Sequence, residues 1–222
     1  MQTSQCLLMI VFVVGLSTQV DGQAPARRLL PTNQPIEQRL LPDDKHVIID
    51  LSPYPPLVVQ VTDGEVIRSL VDGSDVCIFG TVVNKQSALN AARTSIYSTV
   101  SVRVQRLFQA RSARPLKQGE TIEFTQEGGT VQVGDVVVDG IFSWAKGFEV
   151  GRQYLIFARI NVAGEIVTGP ASSYELTDVF GLPRFRRLMM TSSSERNDVE
   201  ELLSNEVFTR IEDRLRTKNA PF

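Results

Sequence analysis

Two groups of residues in this chain combine side-chain types and spacing that suggest binding chemistry. The first is Phe142-Ser143-Trp144-Ala145-Lys146-Gly147-Phe148, which places three aromatic rings and one cation around the single tryptophan. Exposed aromatic rings beside a cation are typical of sugar and peptide sites, although a large ring also fills the end of a β-barrel. Our candidate ligand-binding residues are Phe142, Trp144, Lys146 and Phe148.

The second group is a basic cluster, Arg184, Arg186 and Arg187, interleaved with Phe185. Such a cluster suits an anionic surface or a nucleic acid. The whole chain, however, has 23 Lys and Arg against 25 Asp and Glu, a net charge of -2, which argues against a protein that neutralises many phosphates. We predict no nucleic-acid partner and interpret the cluster as part of a linker, with a basic binding surface as the alternative.

The sequence carries no recognisable catalytic motif. Neither a Gly-x-Ser-x-Gly motif nor a phosphate-binding Gly-Lys-Ser/Thr loop occurs, and two Cys and one His are too few for a Cys/His metal site. We therefore predict no catalytic residues, no metal and no cofactor. Because two distant carboxylates suffice for glycosidase chemistry, a secreted hydrolase with an unrecognised carboxylate site is the alternative.

The first residues predict export. Residues 6–16 form an uncharged apolar run of eleven residues, too short for a membrane span and typical of a secretory signal. Val20 and Gly22 fit the small-residue positions of a cleavage site, so residues 1–22 are predicted to be a signal peptide. The segment before the run lacks Lys and Arg, which leaves an uncleaved anchor as the alternative. We expect a secreted, periplasmic or cell-envelope protein with no stable membrane span after cleavage and with a protein or glycan partner.

The predicted mature chain retains one cysteine, Cys77, and one histidine, His46. Cys77 stands among Val76, Ile78 and Phe79, so we interpret it as a small buried side chain in a strand. An exported chain with one thiol forms no internal disulfide, and its core must hold it together unaided. His46 has no Ser or Asp pattern around it and is interpreted as incidental.

Composition divides the mature chain into three zones. Residues 23–56 contain seven of the eleven prolines and are predicted to be a linker or strap, with one strand over residues 47–51. Residues 57–180 are predicted to be a β-barrel domain, and residues 181–222 a linker followed by a C-terminal helix. In that helix Val199, Leu202, Leu203, Val207, Phe208, Ile211 and Leu215 recur on one face, with a capping start at Ser192 or Asn197.

The central zone shows strand patterns separated by turn signals. Strands over 57–61 and 65–70 flank Asp63-Gly64, which predicts a tight hairpin, and Gly128-Gly129 and Asp139-Gly140 indicate further turns. Residues 85–95 fit a short helical turn or a wide loop. Further strands are predicted over 76–83, 96–108, 121–124, 131–138, 154–160 and 165–168. In the longest, Ile96, Val100, Val102, Val104 and Phe108 share one face, and a strand of that length must bend.

The strand pattern over residues 70–178 resembles that of netrin-like, OB-fold-type barrels and of uncharacterised exported bacterial proteins. The runs that carry the resemblance are Val76-Cys77-Ile78-Phe79-Gly80-Thr81-Val82-Val83, residues 96–104, Gly119-Glu120-Thr121-Ile122, Gly128-Gly129 and Val150-Gly151-Arg152-Gln153-Tyr154-Leu155-Ile156-Phe157. The resemblance implies a small barrel of this type. Together with the zones described above, we expect a small antiparallel OB-like barrel or sandwich with a proline-rich N-terminal strap and a C-terminal amphipathic helix. The metalloprotease inhibitors of this class use an N-terminal cysteine and several disulfides, which this sequence lacks. We expect a non-enzymatic binding or interaction module.

Overall fold

A computed structural model of the chain describes residues 26–28, 34–51, 63–111, 115–142, 146–169, 172–179, 181–188 and 202–218. The predicted signal peptide, the strand expected over residues 57–61 and Trp144 lie outside these residues. Within them the fold is mainly β with a C-terminal helix, as the sequence predicts. Neither α-helix in these ranges has the length and hydrophobicity needed to cross a membrane.

The described elements are twelve strands, two α-helices and a 3-10 helix over Ile36–Arg39. The strands are β1 (Ala26–Arg28), β2 (His46–Asp50), β3 (Val76–Leu89), β4 (Ile96–Ala110), β5 (Thr121–Glu127), β6 (Gly129–Val133), β7 (Val136–Ile141), β8 (Gln153–Ile160), β9 (Ile166–Val167), β10 (Ser173–Val179), β11 (Leu182–Arg187) and β12 (Leu202–Leu203). The helices are α1 (Asp63–Gly73) and α2 (Ser204–Lys218).

These strands form two sheets. The smaller sheet has the order β1-β2-β7-β6, and the larger has the order β12-β11-β10-β8-β3-β4-β5-β9. Because β9 also pairs with β8, the strands β3, β4, β5, β9 and β8 are linked in a closed ring of pairings. Within the ring only β5 and β9 run parallel, and the other pairs are antiparallel.

The ring encloses the largest cluster of buried apolar side chains. Four of its strands contribute to the cluster, whose main members are Val76, Ile78, Val82, Val100, Val102, Val104, Ile122, Phe124, Phe148, Tyr154, Ile156 and Leu188. A second cluster lies between the outer face of β3 and β8 and the two α-helices. Cys77 belongs to this second cluster and is fully buried, and burial raises the pKa of its thiol.

Strand β4 confirms the predicted alternation over most of its length. Ile96, Val100, Val102 and Val104 are buried. Phe108 departs from the expected face because Phe79 pairs with Arg106 and Gly80 with Val104, so Gln105 between them has no partner on β3. This bulge reverses the side-chain parity, and Phe108 packs under α2 instead of inside the ring.

Helix α1 corrects the hairpin predicted around Asp63-Gly64. Val66, Ile67, Leu70 and Val71 have the spacing of one helical face, and all but the half-buried Leu70 are buried. Val66, Ile67 and Val71 are β-branched and also favour strands, which explains the wrong prediction. The helix packs this face against β8 and α2.

Two further boundaries differ from the predictions. Residues 85–89 continue β3 instead of forming a helical turn, and residues 90–95 make a tight connection in which the Asn90 side chain accepts hydrogen bonds from the backbone of Thr94 and Ser95. Asp139-Gly140 lies inside β7, and the chain turns instead at Gly134, which has a φ of 59°. A glycine also occurs inside a strand where another part of the chain comes close to the backbone. This is the case at Gly140, where an added Cβ would lie 3.2 Å from Ile96 Cδ1.

The proline-rich N-terminal zone contributes to a sheet. The strand predicted over residues 47–51 is present as β2, which pairs in parallel with β1 on one side and with β7 on the other. Ile36, Val47, Ile49, Ile96, Val133 and Val138 form a third buried cluster between this sheet and the start of β4. The segment is therefore more than a strap, because it forms two of the four strands of the smaller sheet.

Helix α2 is shorter than predicted. It begins at Ser204, while Leu202 and Leu203 form β12 beside β11, and the proposed capping residues Ser192 and Asn197 lie outside the described residues. Val207 and Ile211 are fully buried against the sheet. Phe208 packs edge to face on Phe79 and Phe185, and the Arg106 guanidinium lies 4.9 Å from the Phe208 ring centre.

An ion pair joins the two helices, and it predicts a pH dependence of stability. Arg214 Nε donates to Asp72 Oδ1 at 2.9 Å and Arg214 Nη2 donates to Asp72 Oδ2, which holds the pKa of Asp72 below its ordinary value of 3.8. A carboxylate whose pKa is depressed by folding stabilises the fold above its unfolded pKa and loses this contribution as pH falls.

We therefore expect Asp72→Asn to lower the free energy of unfolding at neutral pH, by an amount that shrinks below about pH 4. Urea denaturation of wild type and variant between neutral pH and about pH 2.5 measures this difference. Arg214→Gln is the control, because removing the partner is expected to give the same pH dependence. A difference that stays constant over this range contradicts the assignment.

Candidate functional site

The candidate site is a small pocket where the two sheets meet, which we call the sheet-junction pocket. Its volume is about 150 Å³. Gly128 carries the chain from β5 into β6, that is, from the larger sheet to the smaller, so residues of both sheets line the pocket. The lining residues are Lys85, Gln126, Glu127, Gly128, Gly129, Thr130, Asp139, Gly140, Ile141, Phe142, Lys146 and Gly147.

Gly129 allows the sheets to approach at this point. Its φ is 132°, and a Cβ there would lie 2.3 Å from the hydroxyl oxygens of both Ser87 and Ser98. A side chain at this position is therefore excluded both by conformation and by contact. Gly128 and Gly129, which the sequence predicted to form a turn, line the pocket.

Two lysines supply the donors. Lys85 is half-buried and its Nζ donates to the Phe148 carbonyl at 3.2 Å. Burial lowers the pKa of Lys85, and the nearby carboxylates of Glu149 and Asp139 oppose that shift. Lys146 is exposed at the mouth, where its backbone N–H donates to the Leu188 carbonyl at 3.0 Å. One ammonium group is thus fixed by the protein, and the other faces solvent.

Acceptors line the same pocket as the lysines. The Asp139 carboxylate is held on both sides, by His46 Nε2 at 2.6 Å from Oδ2 and by the Thr130 hydroxyl, which donates to Oδ1. His46, which the sequence analysis interpreted as incidental, therefore ties β2 to the pocket wall on β7. Glu127 accepts a hydrogen bond from the Ser95 hydroxyl at 2.8 Å.

Gln126 supplies an acceptor that the described residues leave without a donor. Its side chain is 5% exposed, and its Oε1 is buried and has no hydrogen-bond partner within the described part of the chain. An unsatisfied buried acceptor costs about 1–3 kcal/mol.

The structure divides the predicted aromatic site. Phe142 and Lys146 line the pocket, and Trp144 lies outside the described residues. Phe148 is a correction: it is 1% exposed and packs against Phe124 and Tyr154 inside the ring, so its side chain is not available to a ligand.

The arginine cluster belongs to a strand, which corrects the predicted linker. β11 pairs with β10 and β12, with Arg184 opposite Thr177 and Arg186 opposite Glu175. Arg186 is exposed, and Arg184 is half-buried, with a buried Nε that has no hydrogen-bond partner among the described residues. The side chain of Arg187 is not among those described. A basic binding surface here stays a prediction.

A second concave site, the β5 groove, has a volume of about 690 Å³ and lies between β5 and the turn that joins β8 to β9. It is lined by Thr99, Leu116, Glu120, Thr121, Ile122, Glu123, Phe124, Thr125, Ile160, Gly164, Glu165 and Ile166. Its carboxylates accept hydrogen bonds from nearby residues: Glu123 from the Ser101 hydroxyl, Glu165 from the Asn161 amide and Glu120 from the Lys117 backbone.

Lys85, Gln126 and Asp139 could not be predicted as pocket residues because they come from three different strands. The only sequence signal at this position was the Gly128-Gly129 pair. Across the described ranges, no three His, Cys, Asp or Glu side chains are grouped as a metal site. No protein-family model and no curated protein matches the sequence. We therefore base the proposed function on the side chains of the two concave sites.

Proposed function

We propose that the protein is an exported, non-enzymatic binding module that holds a terminal sugar of a glycan in the sheet-junction pocket. The observation that carries the proposal is the convergence of two lysines, an aromatic ring and two carboxylates on one pocket. The partner is then a glycan or a glycosylated protein of the cell envelope or the extracellular space.

The balance of donors and acceptors favours a sugar over an anion. Lys85 and Lys146 donate, whereas Glu127 and Asp139 accept. A sugar hydroxyl does both, so it satisfies both sides of the pocket. A phosphate or a nucleic acid would face two carboxylates, which is unfavourable.

The size of the pocket limits the ligand to one small unit. Drug-sized ligands occupy pockets of about 300–1,000 Å³. The sheet-junction pocket, at about 150 Å³, is smaller than this range, and Phe142 at its rim offers an apolar face to a single ring. The terminal sugar of a glycan is therefore favoured as the ligand over an internal segment of a polysaccharide.

The proposed scaffold is an OB-like barrel of the type that the strand pattern resembles. The support is the ring β3-β4-β5-β9-β8, in which one parallel pair closes an otherwise antiparallel set, together with the apolar cluster that it surrounds. OB folds are five-stranded barrels that bind oligosaccharides and oligonucleotides on their strands and loops.

Export is proposed from the N-terminal sequence alone. The apolar run of residues 6–16 and the small residues at 20 and 22 support cleavage after Gly22. Sequencing of the N-terminus of the exported protein is expected to start at Gln23. A start at Met1 would replace cleavage with the anchor alternative.

Binding is tested on an array of immobilised neutral and acidic glycans. Wild type is expected to bind a subset of neutral chain ends, and Lys146→Ala and Phe142→Ala are each expected to weaken that binding about tenfold. Lys117→Ala removes an exposed lysine outside the pocket and is the matched control. Trp144→Ala tests the remaining predicted residue of the segment.

A clear result needs an unchanged fold in each variant, which circular dichroism measures. If Lys146→Ala and Phe142→Ala bind as Lys117→Ala does, the pocket is not the glycan site. Retention of acidic glycans only would contradict the argument from donors and acceptors.

The alternative is a secreted hydrolase whose carboxylates would be those of the β5 groove. None of Glu120, Glu123 and Glu165 is buried, and each accepts a hydrogen bond from the protein itself. In the sheet-junction pocket, Asp139 is likewise engaged by His46 and Thr130. We favour binding because each of these carboxylates is already engaged by the protein, and the Thr130 hydroxyl bonds to Asp139, not to His46, so the three do not form the relay of a serine-type hydrolase.

A further inference from the structure

We propose that the β5 groove is a second binding site, in which an extended peptide of alternating basic and apolar residues adds a strand to the edge of β5. The groove shares no residue with the sheet-junction pocket, so this inference stands apart from the proposed function.

Among the described residues, nothing pairs with one edge of β5 over Thr121–Phe124. On one side β5 pairs with β4 along its whole length, whereas on the other side it pairs with β9 only where Thr125 lies opposite Val167. No other strand of the described residues pairs with this edge. An edge with unpaired N–H and C=O groups is a template for strand addition.

The backbone direction is fixed by one hydrogen bond. The Thr125 carbonyl accepts from the Thr168 N–H at 3.3 Å, so the peptide groups of Thr125 face away from β4. Because backbone groups alternate along a strand, the N–H and C=O of Thr121 and Glu123 face the same open side. They are the groups that an added strand would meet first.

The side chains of β5 specify the alternation of the partner. Ile122 and Phe124 point into the ring and are buried, whereas Thr121 and Glu123 are exposed. A strand beside β5 has the same two faces. Its inward residues would cover Leu116, Ile160 and Ile166, which are half-buried at the margin of the central cluster, so apolar side chains fit there.

The outward residues of the partner would meet carboxylates. Glu120, Glu123 and Glu165 line the groove, and no lysine or arginine is among its described lining residues. Lys117 and Arg103 lie next to the groove without lining it. Charge complementarity therefore favours Lys or Arg on the outward face of the partner and disfavours an acidic chain.

The groove has room for a short segment. A strand rises about 3.3 Å per residue, so the open stretch Thr121–Phe124 accommodates about three to four residues of a partner. The volume of about 690 Å³ lies within the range of pockets that bury a ligand of that size.

The test uses the full chain and a fluorescent peptide of three Lys-Val repeats, with binding measured by fluorescence anisotropy. Two further peptides carry N-methyl groups on the lysine amides or on the valine amides. A strand directs alternate residues toward β5, so only one of the two methylated peptides is expected to lose binding, by about tenfold. A Glu-Val peptide is expected not to bind.

Protein variants provide the second arm. Glu123→Lys is expected to weaken binding of the Lys-Val peptide about tenfold, because it replaces an attraction by a repulsion. Asp135→Lys makes the same change of charge at the exposed β6–β7 turn, outside the groove, and is expected to leave binding within about twofold. Glu123→Gln is expected to cause an intermediate loss of peptide affinity, and it keeps the test valid if the lysine variant misfolds.

Three results would overturn the proposal. The first is the absence of binding by wild type. The second is equal binding by Glu123→Lys and Asp135→Lys. The third is equal binding of all three Lys-Val peptides, which would show attraction by charge without strand pairing.

Discussion

Replacement of Phe148 by alanine is expected to lower the free energy of unfolding by about 3–5 kcal/mol. The ring is 1% exposed, with its centre 5.2 Å from that of Phe124 and 4.8 Å from that of Tyr154. Both contacts are edge to face, the favourable geometry for aromatic rings. Truncation removes these contacts and leaves a cavity inside the ring of strands. Urea denaturation followed by circular dichroism measures the loss.

Val150→Ala is the matched control for this variant. It removes apolar atoms two residues further along the same segment, from a side chain that is 59% exposed, and is expected to change the free energy of unfolding by less than about 0.5 kcal/mol. If Phe148→Ala kept the stability of the wild type and lost glycan binding instead, the original prediction of a ligand-binding Phe148 would be right. The assignment of Phe148 to the core would then be wrong.

Gly80→Ala is expected to lower the free energy of unfolding by about 2–3 kcal/mol, although it adds one methyl group. A Cβ at Gly80 would lie 2.5 Å from the Arg103 carbonyl oxygen and 2.6 Å from Val102 Cγ1. The carbonyl belongs to the backbone of β4, so the contact cannot be relieved by a rotamer change. Relief requires a shift between β3 and β4, close to where the register already changes between Phe79 and Gly80.

Gly169→Ala separates this steric effect from the general effect of replacing a glycine. Gly169 has no described heavy atom within 4 Å of an added Cβ, so its variant is expected to stay within about 0.5 kcal/mol of wild type. Thermal or urea denaturation of the two variants side by side measures the difference. Equal losses would mean that β3 and β4 are less closely apposed at Gly80 than described.

Strand β4 shows what a sequence of this kind can reveal. The alternation from Ile96 to Val104 is set by local spacing, because one face of the strand is buried and the other is wet, and the structure reproduces it except at Ser101, which is buried. The mainly β class follows from many such patterns together. Phe108 could not be placed because the bulge that turns it outward depends on how β3 pairs, which local spacing does not record.

Helix α1 and the sheet-junction pocket could not be predicted from local sequence patterns, because both depend on tertiary packing. Val66, Ile67 and Val71 suit a strand by propensity and a helix by spacing, and packing against β8 and α2 decides between them. In the pocket, Phe142 and Lys146 were predicted from a continuous segment. Lys85, Gln126 and Asp139 were not, because only the crossing of two sheets brings them together.

The parallel pairing of β2 with β7 constrains the order in which the chain acquires its structure. His46 and Asp139, joined across this pair, are 93 residues apart in sequence. As the chain is synthesised from its N-terminus, β2 must wait without its partner until β7 has emerged, and contacts of such long range form slowly. A chain halted before residue 136 would carry Val47 and Ile49 on an uncovered strand edge, which is a hazard for pairing with another chain.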